Sequence, residues 1–551
     1  ATLRPALEQA GHRYQTHSDT ETILHAYEEH GPDCLALLRG MFAFTIWDAR
    51  RQQLFCARDR LGIKPFYYYW DGRLFAFASE IKALLEHPAI SAALAEDVLP
   101  DVLAFGYAGG DETLFHNIRK LLPGHRMLLD VAGPRPELKC ECYWDIPEGT
   151  DGDQDLDDCG WVAETRWRLE ESVQAHLMSD VPLGVFLSGG LDSSAIAALT
   201  QRSVLKRVQT FAVGYWEAQF SELGYARQVA TALRTDHREV VVGRDDFFGA
   251  LPKLIWHEDE PMAWPSSVPL YFVSKLAAQH VKVVLSGEGS DEIFAGYERY
   301  RWLDVNQRWA ARYSLLPERA RRAIREWIAV SNLLGAGLRR KLRHTVLGRE
   351  LGFESLFLEN FYCAFDTGVR AENYMSYWNA HPAAPPLART LYADQKTYLV
   401  ELLMKQDQMS MAASLESRVP YLDHTLVEFA ARIPGRLKIR GRAQKHILKA
   451  AVRDLLPRGI VHRRKMGFPT PLAQWLRDAK AEPLYARLRS REGLLAAHLD
   501  LGEVNALIER HRSGREDATD RIWRLLNLQL WGDLFLTGRR EQVWAEAAAR
   551  A

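Results

Sequence analysis

The sequence predicts two unlike folded regions. An α+β region of short strands and hairpins runs to about residue 145, and a parallel α/β domain with a large helical part occupies about 160–540. Three observations carry this. Residues 35–85 hold short aromatic and β-branched stretches separated by turn signals. Residues 130–158 are rich in Pro, Gly and Asp, the composition of a linker. Beyond the linker, short apolar runs alternate with segments of helical spacing, the pattern of a parallel sheet and its crossover helices. A chain of 551 residues has room for this division, at roughly 100–200 residues per domain.

The elements follow in order. M-F-A-F-T-I-W-D (41–48) reads as a strand, R-R-Q-Q as a turn, and L-F-C-A-R-D (54–59) as the returning strand. F-Y-Y-Y-W-D-G-R-L-F-A-F-A (66–78) reads as a hairpin about Asp71-Gly72, a dipeptide suited to tight turns. A helix begins near 80–87. The linker P-E-G-T-D-G-D-Q-D-L-D-D (147–158) sets the domain boundary. Residues 162–177 then have helical spacing. Strands are expected at 181–187, 207–214 and 281–287. From about residue 300 the chain reads as almost wholly helical, with Trp- and Arg-rich amphipathic stretches and no internal repeat.

Composition excludes several classes. Apolar residues make up 47% and charged residues 26%, with 16 Trp, 20 Tyr and 22 Phe, so disorder is excluded as the main state. Lys+Arg number 70 against 71 Asp+Glu, which argues against a basic nucleic-acid coat. The six Cys, at 34, 56, 140, 142, 159 and 363, form no disulfide framework; Cys140 and Cys142 lack further zinc-ligand spacing. No apolar stretch approaches the roughly 20 residues of a membrane helix, and no signal peptide opens the chain. A cytoplasmic protein with free thiols is expected. The chain opens on Ala1, and its first residues read as the middle of a domain.

Chemistry concentrates in three places. In L-S-G-G-L-D-S-S (187–194) an apolar strand runs into Ser188-Gly189-Gly190 and a helix starts near Asp192. Glycines let the backbone approach an anion, and a helix N-terminus offers unpaired N–H groups. Ser188, Ser193 and Ser194 add hydroxyls. Asp192 would repel phosphate unless it held Mg²⁺. An ordinary capped glycine turn is the plainer alternative, disfavoured by the full eight-residue string. No G-K-[ST] follows, so this is not a Walker A loop. In V-V-L-S-G-E-G-S-D-E-I-F-A-G-Y (283–297) a second strand ends in Ser286-Gly287, followed by Glu288, Asp291 and Glu292. Ligands of open α/β sheets bind beyond strand carboxyl ends. Asp192 and Asp291 are therefore expected to share one Mg²⁺, with Glu288 left as a base. The third place is basic: residues 432–465 end in H-R-R-K-M-G-F-P (462–469), mostly a solvated face, with Lys465 at a loop position able to close over a ligand.

Together these strings resemble the glutamine-dependent asparagine synthetases. L-L-M-K-Q-D-Q-M-S-M-A-A-S-L-E-S-R-V-P-Y-L-D-H (402–424) is similar to that family's helix and loop beside the active site. R-Y-Q-T-H-S-D-T-E (13–21), G-M-F-A-F and A-R-D-R-L-G-I-K-P-F-Y-Y resemble its preceding amidotransferase domain. The resemblance implies an Ntn-type α-β-β-α sandwich at 1–145, incomplete at its start, and an ATP-pyrophosphatase-type synthetase domain at 160–540. It implies ATP bound by Leu187, Ser188, Gly189, Gly190, Asp192, Ser193 and Ser194, with Val213 at the adenine and Ser286-Gly287 at the ribose and α-phosphate. Asp192 and Asp291 look like the Mg²⁺ ligands. Glu288 resembles the residue that serves acyl-adenylate formation and the ammonia proton. Lys465 looks like the lysine that stabilises phosphate charge, with Lys445 a second candidate. Asp19 resembles the aspartate that grips the glutamine amino group.

The implied reaction converts aspartate, ATP and ammonia to asparagine, AMP and pyrophosphate through β-aspartyl-AMP. The family's leading Cys nucleophile has no counterpart here, so a trimmed or lost start is expected, with ammonia from glutamine in the complete protein. Expected partners are aspartate, glutamine or ammonia, ATP, and a second copy of the chain, with no nucleic acid and no membrane. Three rivals remain: the same scaffold amidating or cyclising another carboxylate, a tRNA-modifying ATP-pyrophosphatase, and a non-catalytic scaffold protein.

Overall fold

Both hairpins expected in the first region form, and each joins a different sheet. The computed structural model describes residues 3–149, 156–331, 333–365, 371–467 and 469–548. Ala1, the linker centre 150–155 and Phe468 lie outside the described residues. The chain divides into two compact units, residues 1–91, 110–112 and 117–146 in the first, and 92–109, 113–116 and 147–551 in the second.

In the first unit, β1 (Ala43–Asp48) and β2 (Gln53–Arg58) pair antiparallel. β3 (Tyr67–Trp70) and β4 (Phe75–Ala78) form the second hairpin, closed by the Asp71 carboxylate accepting from the N–H groups of Arg73 and Leu74. With β5 (Ile118–Lys120), β6 (His125–Asp130) and β7 (Glu137–Cys142), the sheet orders are β1-β2-β6-β7 and β4-β3-β5. Side-chain alternation along a strand explains the layering. On β2, Phe55 and Ala57 face the helix Asp19–His30 together with Tyr27, Leu35 and Phe44. Leu54 and Cys56 face the other way, with Met127 of the neighbouring β6, against Phe66 and Tyr68 of the second sheet. Cys34 and Cys56 are buried, and burial pushes their thiols up to about 11 and about 12. Thiolate character is what makes a Cys nucleophilic, so both are packing residues.

The loop after β2 is held by buried charge. Asp59 accepts from the backbone N–H groups of Leu61 (3.2 Å), Ile63 (2.9 Å) and Lys64 (2.9 Å). Arg58, 1% exposed, donates to the carbonyls of Lys64, Gly62 and Leu121. Arg60 donates to the carbonyls of Leu38 and Leu35.

In the second unit, β8 (Leu183–Phe186), β9 (Gln209–Tyr215), β10 (Asp236–Val242), β11 (Val283–Leu285) and β12 (Glu416–Arg418) form one parallel sheet, ordered β10-β9-β8-β11-β12. β10 was not expected, and β12 interrupts a stretch that reads as wholly helical. β10 carries Asp, His, Arg and Glu in its first four positions, and the three residues of β12 are Glu-Ser-Arg at a sheet edge, so neither presents an apolar run. The helix expected at 162–177 spans Asp158–His176, its start capped by Asp157 accepting from the Gly160 N–H. No described helix is long and apolar enough to cross a membrane.

The strand order places the site. From β8 the chain adds β9 and β10 on one side; β11 then returns to the other side of β8. The crevice at such a reversal, beyond the strand carboxyl ends, is where open α/β sheets bind ligands.

Asp59→Ala is expected to cost the first unit about 3 kcal/mol or more, because three N–H donors lose a charged acceptor. Asp59→Asn, which keeps one acceptor oxygen, is expected to cost less. Urea unfolding of the full chain checks this. An Asp59→Ala variant within about 0.5 kcal/mol of the parent would mean the loop is held by something else.

Candidate active site

The two strand-end turns identified in the sequence leave adjacent strands and open into one cleft. At the end of β8, the Leu187 N–H donates to the Phe211 carbonyl (2.8 Å), extending the sheet by one residue. Gly189 then takes φ 72°, and Gly190 caps the helix Leu191–Ser203. A Cβ on Gly189 would stand 2.5 Å from the backbone nitrogen of Ala226, so glycine is required twice over. Ser193 folds back over the turn: its Oγ accepts from the Ser188 N–H (3.2 Å) and lies 3.0 Å from the Ser188 Oγ. At the end of β11, the Ser286 N–H donates to the Arg418 carbonyl of β12 (2.8 Å), and the Ser286 Oγ accepts from the Glu288 N–H (3.2 Å).

One buried ammonium joins the turns. Lys445 has left-handed backbone (φ 49°) immediately before the helix His446–Val452. Its Nζ lies 2.7 Å from Asp192 Oδ1 and 2.7 Å from Asp291 Oδ1, and donates to the Ser290 Oγ at 3.1 Å. The Ser290 hydroxyl donates in turn to Asp192 Oδ1 (2.9 Å). Lys465 reaches the other oxygen, Asp291 Oδ2, at 2.5 Å, and its ammonium sits 4.2 Å over the Tyr297 ring. Lys445 is 6% exposed and Lys465 38%. Burial works to raise the Asp291 carboxyl, but the two ammonium groups overcome it and hold the group well below the usual carboxylate range. Burial likewise works to lower Lys445, and Asp192 and Asp291 overcome it, leaving the ammonium raised. Backbone shape protects this contact: a Cβ on Gly296 would fall 1.9 Å from Asp291 Oδ1 and 2.1 Å from the Lys445 Cε.

The cleft encloses roughly 2010 Å³. Of the residues singled out from the sequence in this unit, all but Gly189, Ser194 and Glu292 line it: Leu187, Ser188, Gly190, Asp192, Ser193, Val213, Ser286, Gly287, Glu288, Asp291, Lys445 and Lys465. Ser194, expected among the nucleotide-binding hydroxyls, is fully buried, and its Oγ makes no hydrogen bond among the described residues. Successive helical residues point about 100° apart, so Ser193 takes the cleft and Ser194 the core. Gly189 packs against Tyr225 and Ala226. Glu288 is half-buried, and among the described residues no ion pair or hydrogen bond engages its carboxylate. Asp19 belongs to the first unit, exposed at the start of the helix Asp19–His30, whose cap is Ser18.

Several site residues were not separated out in the sequence. Arg463 donates to the Gly189 carbonyl (3.1 Å), stacks 3.7 Å over the Tyr225 ring and pairs with Glu222. Glu222 lines the cleft, and burial raises its carboxyl against the pull of Arg463. The basic run 462–465 signalled a functional segment without showing which cation turns inward. Glu292, the third acid named in the second motif, is buried beside Asp291 and accepts from the Tyr297 hydroxyl at 2.5 Å. Burial, with the charges of Asp291 and Glu288, pushes its carboxyl up to about 7. Further along the cleft wall, Arg299 lies 3.9 Å over Tyr297 and 4.4 Å over Tyr398, and pairs with the fully buried Asp394 at 3.0 Å. Asp394 also accepts from the hydroxyls of Tyr300, Tyr362 and Tyr374.

Comparison with known proteins places the chain in a family. The family model for asparagine synthase matches residues 164–533, and that for the glutamine amidotransferase domain matches 1–144. Asparagine synthetase [glutamine-hydrolyzing] 1 of Bacillus subtilis is 32% identical over 98% of this chain and 84% of its own length. A putative asparagine synthetase [glutamine-hydrolyzing] of Mycobacterium tuberculosis is 36% identical over 96% of this chain and 81% of its own. The chain belongs to the glutamine-hydrolysing asparagine synthetase family.

Glu292 supplies a pH test. Its folded-state pKa of about 7 lies above the ordinary value of about 4.3. Between those values the folded chain holds a proton that the unfolded chain has released, so this group lowers stability as pH rises. Glu292→Gln removes the effect. The thermal midpoint of the variant, relative to the parent, is expected to rise from pH 5 to pH 8. Parallel curves would show that Glu292 ionises as an ordinary carboxylate.

Proposed function

We propose that the chain forms asparagine by joining ammonia nitrogen to the side-chain carboxylate of aspartate, with ATP cleaved to AMP and pyrophosphate. One observation carries this reading: two strand-end Ser-Gly turns open into one cleft where Lys445 and Lys465 meet Asp192 and Asp291. The turn at 188–190 and the start of the helix Leu191–Ser203 offer N–H groups and a positive dipole end to the ATP phosphates. The Val213 backbone is assigned to the adenine, and Ser286-Gly287 to the ribose and α-phosphate. In this reading the second unit is the synthetase domain, of ATP-pyrophosphatase type, over 160–540. The first is the amidotransferase domain over 1–145, an Ntn-type sandwich, with Asp19 gripping the amino group of glutamine.

The carboxylates fit a Mg²⁺ ion. Mg²⁺ takes oxygen donors and commonly binds through one or two carboxylates completed by phosphates and water. Asp192 and Asp291 already direct one oxygen each at a single cation, the Lys445 ammonium. Asp192 and Asp291 would hold Mg²⁺ in place of the ammonium, and the ion would offset phosphate charge there.

The protein groups divide the remaining work. The aspartate side-chain carboxylate attacks the α-phosphorus, and pyrophosphate leaves. Lys465, partly exposed on a loop, follows the departing charge and stabilises it. Where no metal bridges the two carboxylates, Lys445 does so and keeps the turns in register. Ammonia then attacks the β-aspartyl adenylate, and AMP leaves. Glu288, with an unengaged carboxylate in the cleft, accepts the proton that ammonia sheds.

ATP–pyrophosphate exchange with a panel of carboxylic acids tests the reading. Exchange is expected with aspartate, and is expected to vanish in Asp192→Asn and Asp291→Asn. Lys465→Ala is expected to lower kcat by about 10²–10³ with a smaller change in KM for ATP. Lys465→Arg restores this incompletely, since a planar fork does not replace a point charge. Glu288→Gln is expected to suppress asparagine formation. Exchange with another carboxylate but none with aspartate would keep the adenylation chemistry and reject the substrate.

A further inference from the structure

We propose that the first unit carries a transition-metal site, of the kind zinc occupies, built from His12, His25 and Glu28. His25 and Glu28 are three residues apart on the helix Asp19–His30 and so share one face. His12 follows the helix Leu3–Gln9 and comes to that face from outside. His25 Nδ1 lies 3.2 Å from His12 Nδ1 and 2.8 Å from Glu28 Oε2; His12 Nδ1 lies 3.5 Å from the same Glu28 oxygen. Ligands about 2.0–2.1 Å from a tetrahedral zinc ion are separated by about 3.3 Å, close to all three sides of this triangle. A cation can therefore sit at bonding distance from the three atoms with little rearrangement.

Hydrogen bonding alone serves the cluster poorly. Each imidazole nitrogen presents one proton or one lone pair. Two such nitrogens and a carboxylate oxygen converge here, and a single proton satisfies them only by being shared. A divalent cation engages all three lone pairs at once.

The group behind His12 matches those that orient metal-binding histidines, whose second nitrogen usually meets a carboxylate: His12 Nε2 lies 3.1 Å from Glu29 Oε2. His25 Nε2 points toward Glu21 Oε1 at 3.7 Å, beyond hydrogen-bond distance. Glu21 is itself fixed by the N–H groups of Gln15 and Thr16. The Tyr14 ring packs edge-on against His25, and the Arg4 guanidinium stacks 4.1 Å over Tyr14, holding the approach segment in place. The histidine side chains are 15% and 14% exposed and that of Glu28 54%, so an ion has a route in and water can complete its shell. Two imidazoles and one carboxylate suit zinc and its first-row neighbours, whereas magnesium and calcium take oxygen donors. A bound ion would clamp the segment after the first helix to the second helix. The site is independent of the proposed synthetase chemistry, since none of these residues lines the cleft of the second unit.

The test uses the full chain, untagged and stripped with a chelator. Zinc is titrated against a competing chromophoric chelator, and the thermal midpoint is followed with and without the ion. One tight equivalent and a raised midpoint are expected in the parent. His25→Gln is expected to abolish both. Glu28→Gln, at an exposed position that leaves packing intact, is expected to weaken binding by at least about 10-fold, the order seen when the surroundings of a metal site are altered. Zinc-edge absorption is expected to show nitrogen and oxygen neighbours at about 2.0–2.1 Å. A parent with no tight equivalent, or an equivalent unchanged in both variants, overturns the site.

Discussion

The cleft of the second unit depends on one buried ammonium set between two carboxylates. Lys445 Nζ touches one oxygen of Asp192 and one of Asp291, and those aspartates belong to turns leaving neighbouring strands. Taking three charges out of water costs several kcal/mol per ion, and removing one partner strands the others. The arrangement holds because its geometry is complete. Ser290 bridges Lys445 and Asp192, Lys465 covers the second oxygen of Asp291, and the Tyr421 hydroxyl donates to the Asp192 carbonyl at 3.3 Å. The left-handed backbone at Lys445 and the missing side chain at Gly296 leave the space that closeness requires. Two turns that could flex separately are thus fixed as one surface.

Much of this surface was legible, for a local reason. L-S-G-G-L-D-S-S and V-V-L-S-G-E-G-S-D-E each contain a strand, a turn and a helix start within a few residues, so the chemistry and the fold that presents it are written in one string. Gly189 shows why the string is constrained: its conformation and its contact with the next helix both exclude a side chain. What escaped was non-local. Arg299 and Asp394 are 95 positions apart, and Arg463 meets Glu222 across 241; no spacing rule links such pairs. β12 escaped because three polar residues at an edge carry no period. Ser194 was misplaced by one step of the helix, too fine a distinction for a motif.

A second kind of signal was legible without revealing its meaning. A-R-D-R-L-G-I-K in the first unit is as distinctive as the cleft motifs, and it marks the family. Its charged residues nevertheless face inward, Arg58 and Arg60 to carbonyl oxygens and Asp59 to backbone N–H groups. Buried backbone polar groups must be paired, and a loop that crosses the interior without strand partners needs side chains to do it. A string of charges can therefore be scaffold as readily as chemistry. What separates the cases is whether the charges meet each other at a cavity, as at Lys445, or spend themselves on the backbone, as here.

The same contrast explains how one short stretch of chain carries three acids in unlike surroundings. Asp291 and Glu292 are adjacent, yet their surroundings pull their protonation apart. Burial acts on Asp291 and Glu292 alike, but Asp291 has two ammonium groups on its oxygens and is held ionised. Glu292 has a tyrosine hydroxyl and two neighbouring acids, and is pushed up to about 7. Glu288 faces the cleft with no partner among the described residues. The helix start after β11 turns Asp291 and Glu292 toward different neighbours, so that position on one turn of helix, more than residue type, decides which of the two holds a proton.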